Sequence, residues 1–194
     1  MSTAPQSQMQ LFGSFTSPFV RHLRIVLADS GLDYEFIETD YAQSAAQSPA
    51  QRVPFLQDDQ IQLTDSTSIL KHLREKAGQS FFADTANLEL YCLANTCLDT
   101  AINLFLLERE GLNSDSNAYL QRQAARIQST LKALEARIWP SDMQWYDGQI
   151  RLACFIDWAI YRNRLDFSAY PKLLAFLAQA QKQPSFVATA PPAA

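Results

Sequence analysis

Ser17 stands directly before Pro18 at the head of a run, Phe19, Val20, Leu23, Val26 and Leu27, whose apolar spacing is that of a helix. A hydroxyl there can donate a hydrogen bond to an anion lying off the helix N-terminus, where the first turn adds partial positive charge. It can equally cap the helix, a role that Ser before Pro suits well. The two uses fit the same position and compete for one hydroxyl. Thr64-Asp65-Ser66 forms a second such cluster, ahead of Ile69, Leu70 and Leu73. Its carboxylate can accept backbone N–H groups, and the plain reading is again a helix cap. Val53-Pro54 is read from sequence alone as an ordinary trans proline opening an edge strand, the common state of such bonds. Three cysteines, Cys92, Cys97 and Cys154, show neither C-x-x-C nor metal-ligand spacing and read as free thiols of a reducing compartment. His22 and His72 fall inside helical segments without carboxylates or cysteines at ligand spacing, so no metal is expected.

The elements that must position these residues follow from periodicity. A short apolar run at residues 9–12 ends at Gly13-Ser14, the Ser17 helix stops at Gly31, and residues 34–38 alternate as a half-buried strand, giving β-α-β. Residues 41–51, rich in Ala, Gln and Ser, read as a loop or at best a short irregular helix. Residues 54–57 and 60–63 flank Asp58-Asp59 as a β-hairpin, and a helix runs from the Asp65 cluster to Gly78, giving β-β-α. Beyond it strand-like alternation disappears. Helices are expected at about residues 87–110, 117–139, 151–164 and 171–182, with a fraying Pro-Ala tail. The division is therefore 9–78 for an α/β domain and 87–185 for an all-helical one.

Sixteen Lys and Arg against twenty Asp and Glu, scattered rather than clustered, give a net charge of -4 and no nucleic-acid footprint. Met1 to Gln8 are polar and do not read as a secretory signal. No uninterrupted apolar stretch reaches the ~20 residues of a membrane span, so a cytoplasmic protein without a membrane partner is expected.

The β-α-β then β-β-α order, with Val-Pro just before the hairpin and an all-helical half behind it, resembles the glutathione transferase superfamily from Gln10 to about Ser185. The resemblance rests on three segments in order: Phe15-Thr16-Ser17-Pro18-Phe19-Val20-Arg21, Val53-Pro54-Phe55-Leu56, and Leu63-Thr64-Asp65-Ser66-Thr67-Ser68-Ile69-Leu70. The Ser-Pro-Phe opening is similar to the serine-type branch exemplified by the plant tau class, and the whole pattern to small bacterial members.

The resemblance implies a thioredoxin-like glutathione-binding domain and a helical domain shaping an apolar pocket for a small electrophile. Ser17 is then the hydroxyl that stabilises the glutathione thiolate, with Thr16 as runner-up. Val53, joined to Pro54 by a cis bond, pairs with the cysteinyl part, and Phe19 is a further glutathione-binding residue. Asp65 and Ser66 hold the γ-glutamyl end, and Arg52 is a candidate for the glycyl carboxylate. Tyr91, Asn95, Asp99, Trp145 and Tyr161 are pocket candidates, with Asn103 and Trp158 nearby. Glutathione is the implied co-substrate and a homodimer the implied assembly.

Two departures stand out. Many relatives open their sixth helix with a Ser or Thr followed three residues later by Asp, whereas the matching positions here are Arg151 and Cys154, leaving Asp147-Gly148 as a replacement cap. The segment between Ile37 and Val53 is also short. Two other functions are compatible with this outline. A transcription-associated binding module of the stringent-starvation type keeps the fold without the chemistry, but has no need of both Ser17 and Asp65-Ser66. A thiol reductase would expect Cys at position 17.

Overall fold

The computed structural model describes residues 9–59, 61–140 and 142–193. Met1 to Gln8, Gln60 of the expected hairpin and Ala194 of the tail lie outside these residues. The chain divides into two compact units, one of residues 1–81 with 184–194 and one of residues 82–183.

The first unit is built on a four-stranded mixed sheet. Strands β1 (Gln10–Gly13), β2 (Glu35–Glu38), β3 (Phe55–Asp58) and β4 (Ile61–Leu63) lie in the order β2-β1-β3-β4. β1 runs parallel to β2 and antiparallel to β3, with Leu11 opposite Phe36 on one side and Leu56 on the other. Helix α1 (Pro18–Ser30) is the crossover that a parallel β1-β2 pair requires. It buries Val20, Leu23, Ile25, Val26 and Leu27, each contributing roughly 1.5–3 kcal/mol of transfer free energy. Helix α3 (Ser66–Lys76) packs against α1, and Phe12 stacks on Phe55 at 4.4 Å in the sheet.

Of the two readings open for residues 41–51, a loop or a short irregular helix, the structure shows a short helix. Tyr41–Gln47 forms α2, opened by a capping box in which Asp40 accepts from the Gln43 N–H at 2.8 Å and Gln43 returns a bond to the Asp40 N–H at 2.9 Å. That Asp-x-x-Gln signal is in the sequence and outweighs the poor periodicity of the segment.

Asp58, at the end of β3, is 5% exposed and accepts hydrogen bonds from His72 and Lys76 of α3, each at 2.7 Å. Burial raises its carboxyl, but the bonds and charges of Lys76 and His72 outweigh it and hold the group below its ordinary value. A carboxyl depressed in the fold contributes stability that is fully present above the unfolded value of ~3.9 and is lost as pH falls through the folded one. Asp58→Asn is expected to lower unfolding free energy at neutral pH by about 1–3 kcal/mol. Its deficit against the parent should shrink below about pH 4 in urea titrations, and a deficit constant down to about pH 2 would contradict the assignment.

The second unit contains α4 (Thr85–Arg109), α5 (Ala118–Glu135), α6 (Asp147–Tyr161) and α7 (Pro171–Ala180). α4 packs on α5 and α6, and α7 on α5 and α6. α4 has the length and hydropathy of a membrane span, yet it packs as a core helix, burying Leu90, Tyr91, Ala94, Cys97 and Leu98. α6 begins at Asp147, four residues before the expected 151, and its N-cap residue, Tyr146, makes no side-chain capping bond. The cap comes from α4, where Asn87 Oδ1 accepts the Gly148 N–H at 3.2 Å and Asn87 Nδ2 donates to Gln149 at 2.7 Å. α7, opened by Pro171, is served the same way: the Glu135 carboxylate of α5 accepts the Lys172 and Leu173 N–H groups, both at 3.0 Å. Two helices whose N-cap residues make no side-chain capping bond thus have first-turn donors satisfied by neighbouring helices.

Candidate functional site

Ser14-Phe15-Thr16-Ser17 is a turn closed by the Ser17 N–H on the Ser14 carbonyl at 3.1 Å. It brings the chain from β1 to α1 with Ser17 as the N-cap residue, in extended backbone. Gly13 allows the close approach this requires, since a Cβ there would stand 2.6 Å from a methyl of Val20 in the first turn of α1. Ser17 Oγ accepts the Val20 N–H at 3.4 Å, which makes the cap real. The competition anticipated between cap and anion donor does not arise. A hydroxyl has one proton and two lone pairs, and the cap uses a lone pair. Among the described residues no acceptor takes the Ser17 proton. Thr16 differs, because its hydroxyl lies 3.1 Å from that of Ser14, within hydrogen-bond distance.

Phe19 is half-buried in the first turn of α1, in the same turn as Val20. Val53 is half-buried, Pro54 buried, and the bond between them is cis, as the resemblance implies. Asp65 is the N-cap of α3 and accepts the Thr67 N–H at 2.8 Å, while Ser66 begins the helix and is buried. The Arg52 guanidinium lies 3.8 Å from the exposed Asp65 carboxylate. The structure therefore brings Arg52 and Asp65 together, leaving a carboxylate and a guanidinium side by side.

In the helical unit the pocket candidates separate. Tyr91 is interior: its hydroxyl accepts from Arg151 at 2.8 Å, and its ring meets Phe82 edge-on at 5.0 Å. Trp158 is also buried, against Phe105. Asn95, Asp99, Trp145 and Tyr161 are half-buried, and Asn103 is exposed and donates to Asp99 at 3.3 Å. Asn95 Oδ1 is buried and has no hydrogen-bond partner among the described residues. Among those residues no group of three or more His, Cys, Asp or Glu is placed to hold a metal.

Arg151, seen from sequence only as a position of the missing cap, has a contact that was not read. It is wholly buried in α6, 4.8 Å over the Tyr91 ring, where a solvated arginine is the usual case. Nothing local announces it, because Tyr91 is 60 positions away.

The thiols also divide. Cys92 is exposed, whereas Cys97 and Cys154 are buried, and burial pushes the Cys97 thiol up to about 12. Iodoacetamide is expected to modify Cys92 in the native protein and Cys97 only on unfolding. Peptide mass mapping that finds Cys97 labelled as fast as Cys92 would refute this.

Residues 11–81 match the family model described as Glutathione S-transferase, N-terminal domain. A comparison with curated proteins gave no match. Among solved structures, a glutathione S-transferase from Methylobacillus flagellatus with glutathione bound is 23% identical, covering 95% of this chain and 100% of its own, with a TM-score of 0.80. One from Methylobacterium radiotolerans, in complex with glutathione sulfonate, is 23% identical over 97% of this chain and 96% of its own, TM-score 0.80. A glutathione transferase family member from Pseudomonas fluorescens with bound glutathione is 21% identical over 95% and 100%, TM-score 0.80. The chain has the glutathione transferase fold, a thioredoxin-like α/β unit followed by helices.

Proposed function

We propose that this chain is a glutathione transferase in which Ser17 stabilises the thiolate of bound glutathione for attack on a small apolar electrophile. The observation that carries the reading is the Ser17 hydroxyl at the head of α1, which accepts from Val20 N–H and keeps its proton to give. A free thiol has a pKa near ~8.5. One hydrogen bond to the anion, worth ~1.5–3 kcal/mol, and a helix terminus, worth ~0.3–1 kcal/mol, lower that by roughly one to three units. The thiol proton passes to solvent. The sulfur then bonds to the electrophilic carbon as a halide leaves, or adds to an activated alkene whose carbanion takes a proton from water.

Binding of glutathione by the chain's fold relatives supports the first half of this reading. Asp65 is assigned to the γ-glutamyl ammonium, with Ser66 beside it. Arg52, next to Asp65, is assigned to a glutathione carboxylate, and Val53 with Pro54 and Phe19 to the cysteinyl portion. Asn95, Asp99, Trp145 and Tyr161 are the accessible side chains assigned to the electrophile, and a homodimer, testable by sedimentation, is the proposed assembly. Calorimetric titration with glutathione, followed by ultraviolet difference spectra for thiolate, tests the proposal. Saturable binding with a thiolate band is the expected result. No binding at millimolar glutathione would favour the non-catalytic, stringent-starvation type of module.

A further inference from the structure

Two arginines of α1 hold the last helix of the chain. α8 (Pro184–Ala188) packs on α1 within the first unit. Arg21, buried, donates from Nη2 to the Phe186 carbonyl at 2.9 Å, and its guanidinium lies 3.8 Å over the Phe186 ring. One turn on, Arg24 donates from Nη1 to the Thr189 carbonyl at 3.4 Å. The Phe186 carbonyl lies in the last turn of α8 and Thr189 directly follows the helix, a place where backbone acceptors lack helical donors and cations are favoured.

Arg24 also faces the other way. Its guanidinium lies 4.7 Å over the Phe15 ring and 5.4 Å from that of Phe36, and the two rings pack at 4.6 Å. Phe15 is a central residue of the turn that Ser17 closes. Thr189 is itself pinned, its hydroxyl donating to the Ser185 carbonyl at 2.8 Å. An unbroken series of contacts thus runs from α8 through Arg24 and Phe15 to the backbone that carries Ser17. A planar guanidinium between a carbonyl and an aromatic face has fewer ways to rearrange than an apolar chain would.

Resting on the Ser17 reading above, we propose that Arg24 is a positioning residue: anchored by α8, it holds the Phe15 turn so that the Ser17 hydroxyl stays aimed at the substrate sulfur. Its loss leaves glutathione bound but less often hydrogen-bonded at sulfur. This separates it from a merely structural role, which would alter melting temperature without altering the ionisation of bound thiol.

The test uses the full chain with Arg24→Met, Phe15→Leu, their combination, and Phe186→Leu, which loosens α8 from Arg21. Thiolate absorbance per bound glutathione is expected to fall about threefold in each single variant, with calorimetric Kd changed less than about twofold. The double variant should lose no more than the larger single one, because both act on one contact. Where Arg24→Met does not fold, Phe15→Leu and Phe186→Leu carry the same expectation. Undiminished thiolate in the folded variants, with the parent showing its full band, overturns the positioning role alone. A parent that binds glutathione without any thiolate band overturns the Ser17 reading and the positioning role together.

Discussion

Ser17→Ala is expected to cut turnover with a model aryl halide by about 1.5–3 kcal/mol of transition-state stabilisation, or roughly ten- to 150-fold, while glutathione affinity stays nearly intact. The structure refines how that result must be read. Ser17 Oγ caps α1 through Val20 N–H, so alanine also removes a cap worth about 0.5–2 kcal/mol of stability. Ser17→Asp separates the two contributions. Aspartate is as good a cap as serine but has no proton to give at neutral pH, and its charge opposes a thiolate. The aspartate protein should melt close to the parent and remain as inactive as the alanine one. Turnover unchanged in the alanine variant across several electrophiles would remove Ser17 from the chemistry.

Gly148→Ala should be strongly damaging to the helical unit. A Cβ at 148 would stand 2.6 Å from the Asn87 carbonyl oxygen, 3.0 Å from Asn87 Nδ2 and 3.1 Å from Leu90 Cβ. The nearest of these is α4 backbone, which cannot rotate away. α4 and α6 must separate, and the separation pulls Asn87 Oδ1 off the Gly148 N–H that it satisfies. Overpacking of this kind costs about 1–3 kcal/mol and a buried donor left unsatisfied about 1–3 kcal/mol more. Equilibrium urea unfolding is expected to lose about 2–6 kcal/mol in total. A loss below about 0.5 kcal/mol would mean that the close approach of α4 and α6 is not needed.

What could be read from sequence was whatever a local pattern encodes. The apolar spacing from Phe19 to Leu27 placed α1, Gly31 ended it, and Asp65 marked the start of α3, because cap and periodicity agree there. α2 was legible through Asp40-x-x-Gln43, but its polar composition left a loop as the other reading. The start of α6 was legible only in part, through Asp147-Gly148, while its helical pattern was placed from 151. Its cap residue lies 61 positions earlier in the chain, and Gly148 within its first turn weakens the helix signal. α8, five residues long, has too few positions to show a period. Nothing local marks Arg21 and Arg151 as buried, because the groups that receive them, Phe186 and Tyr91, are 165 and 60 positions distant. At the candidate site the residue types were visible, but the use of opposite ends of the Ser17 hydroxyl was not. That depends on where the Val20 N–H points.

The unit that carries Ser17 is interrupted in the chain: its sheet and first helices end by residue 81, and its remaining helix begins at 184. A ribosome adding about 5–20 residues per second therefore completes the sheet roughly 5–20 s before it delivers α8. During that interval Arg21 and Arg24 have no carbonyls from α8 to meet. The nascent first domain must wait, with part of one helix face uncovered, while the whole second unit is translated. Order of synthesis and order of completion are thus opposed in this fold, and the domain that begins first is the one that finishes last.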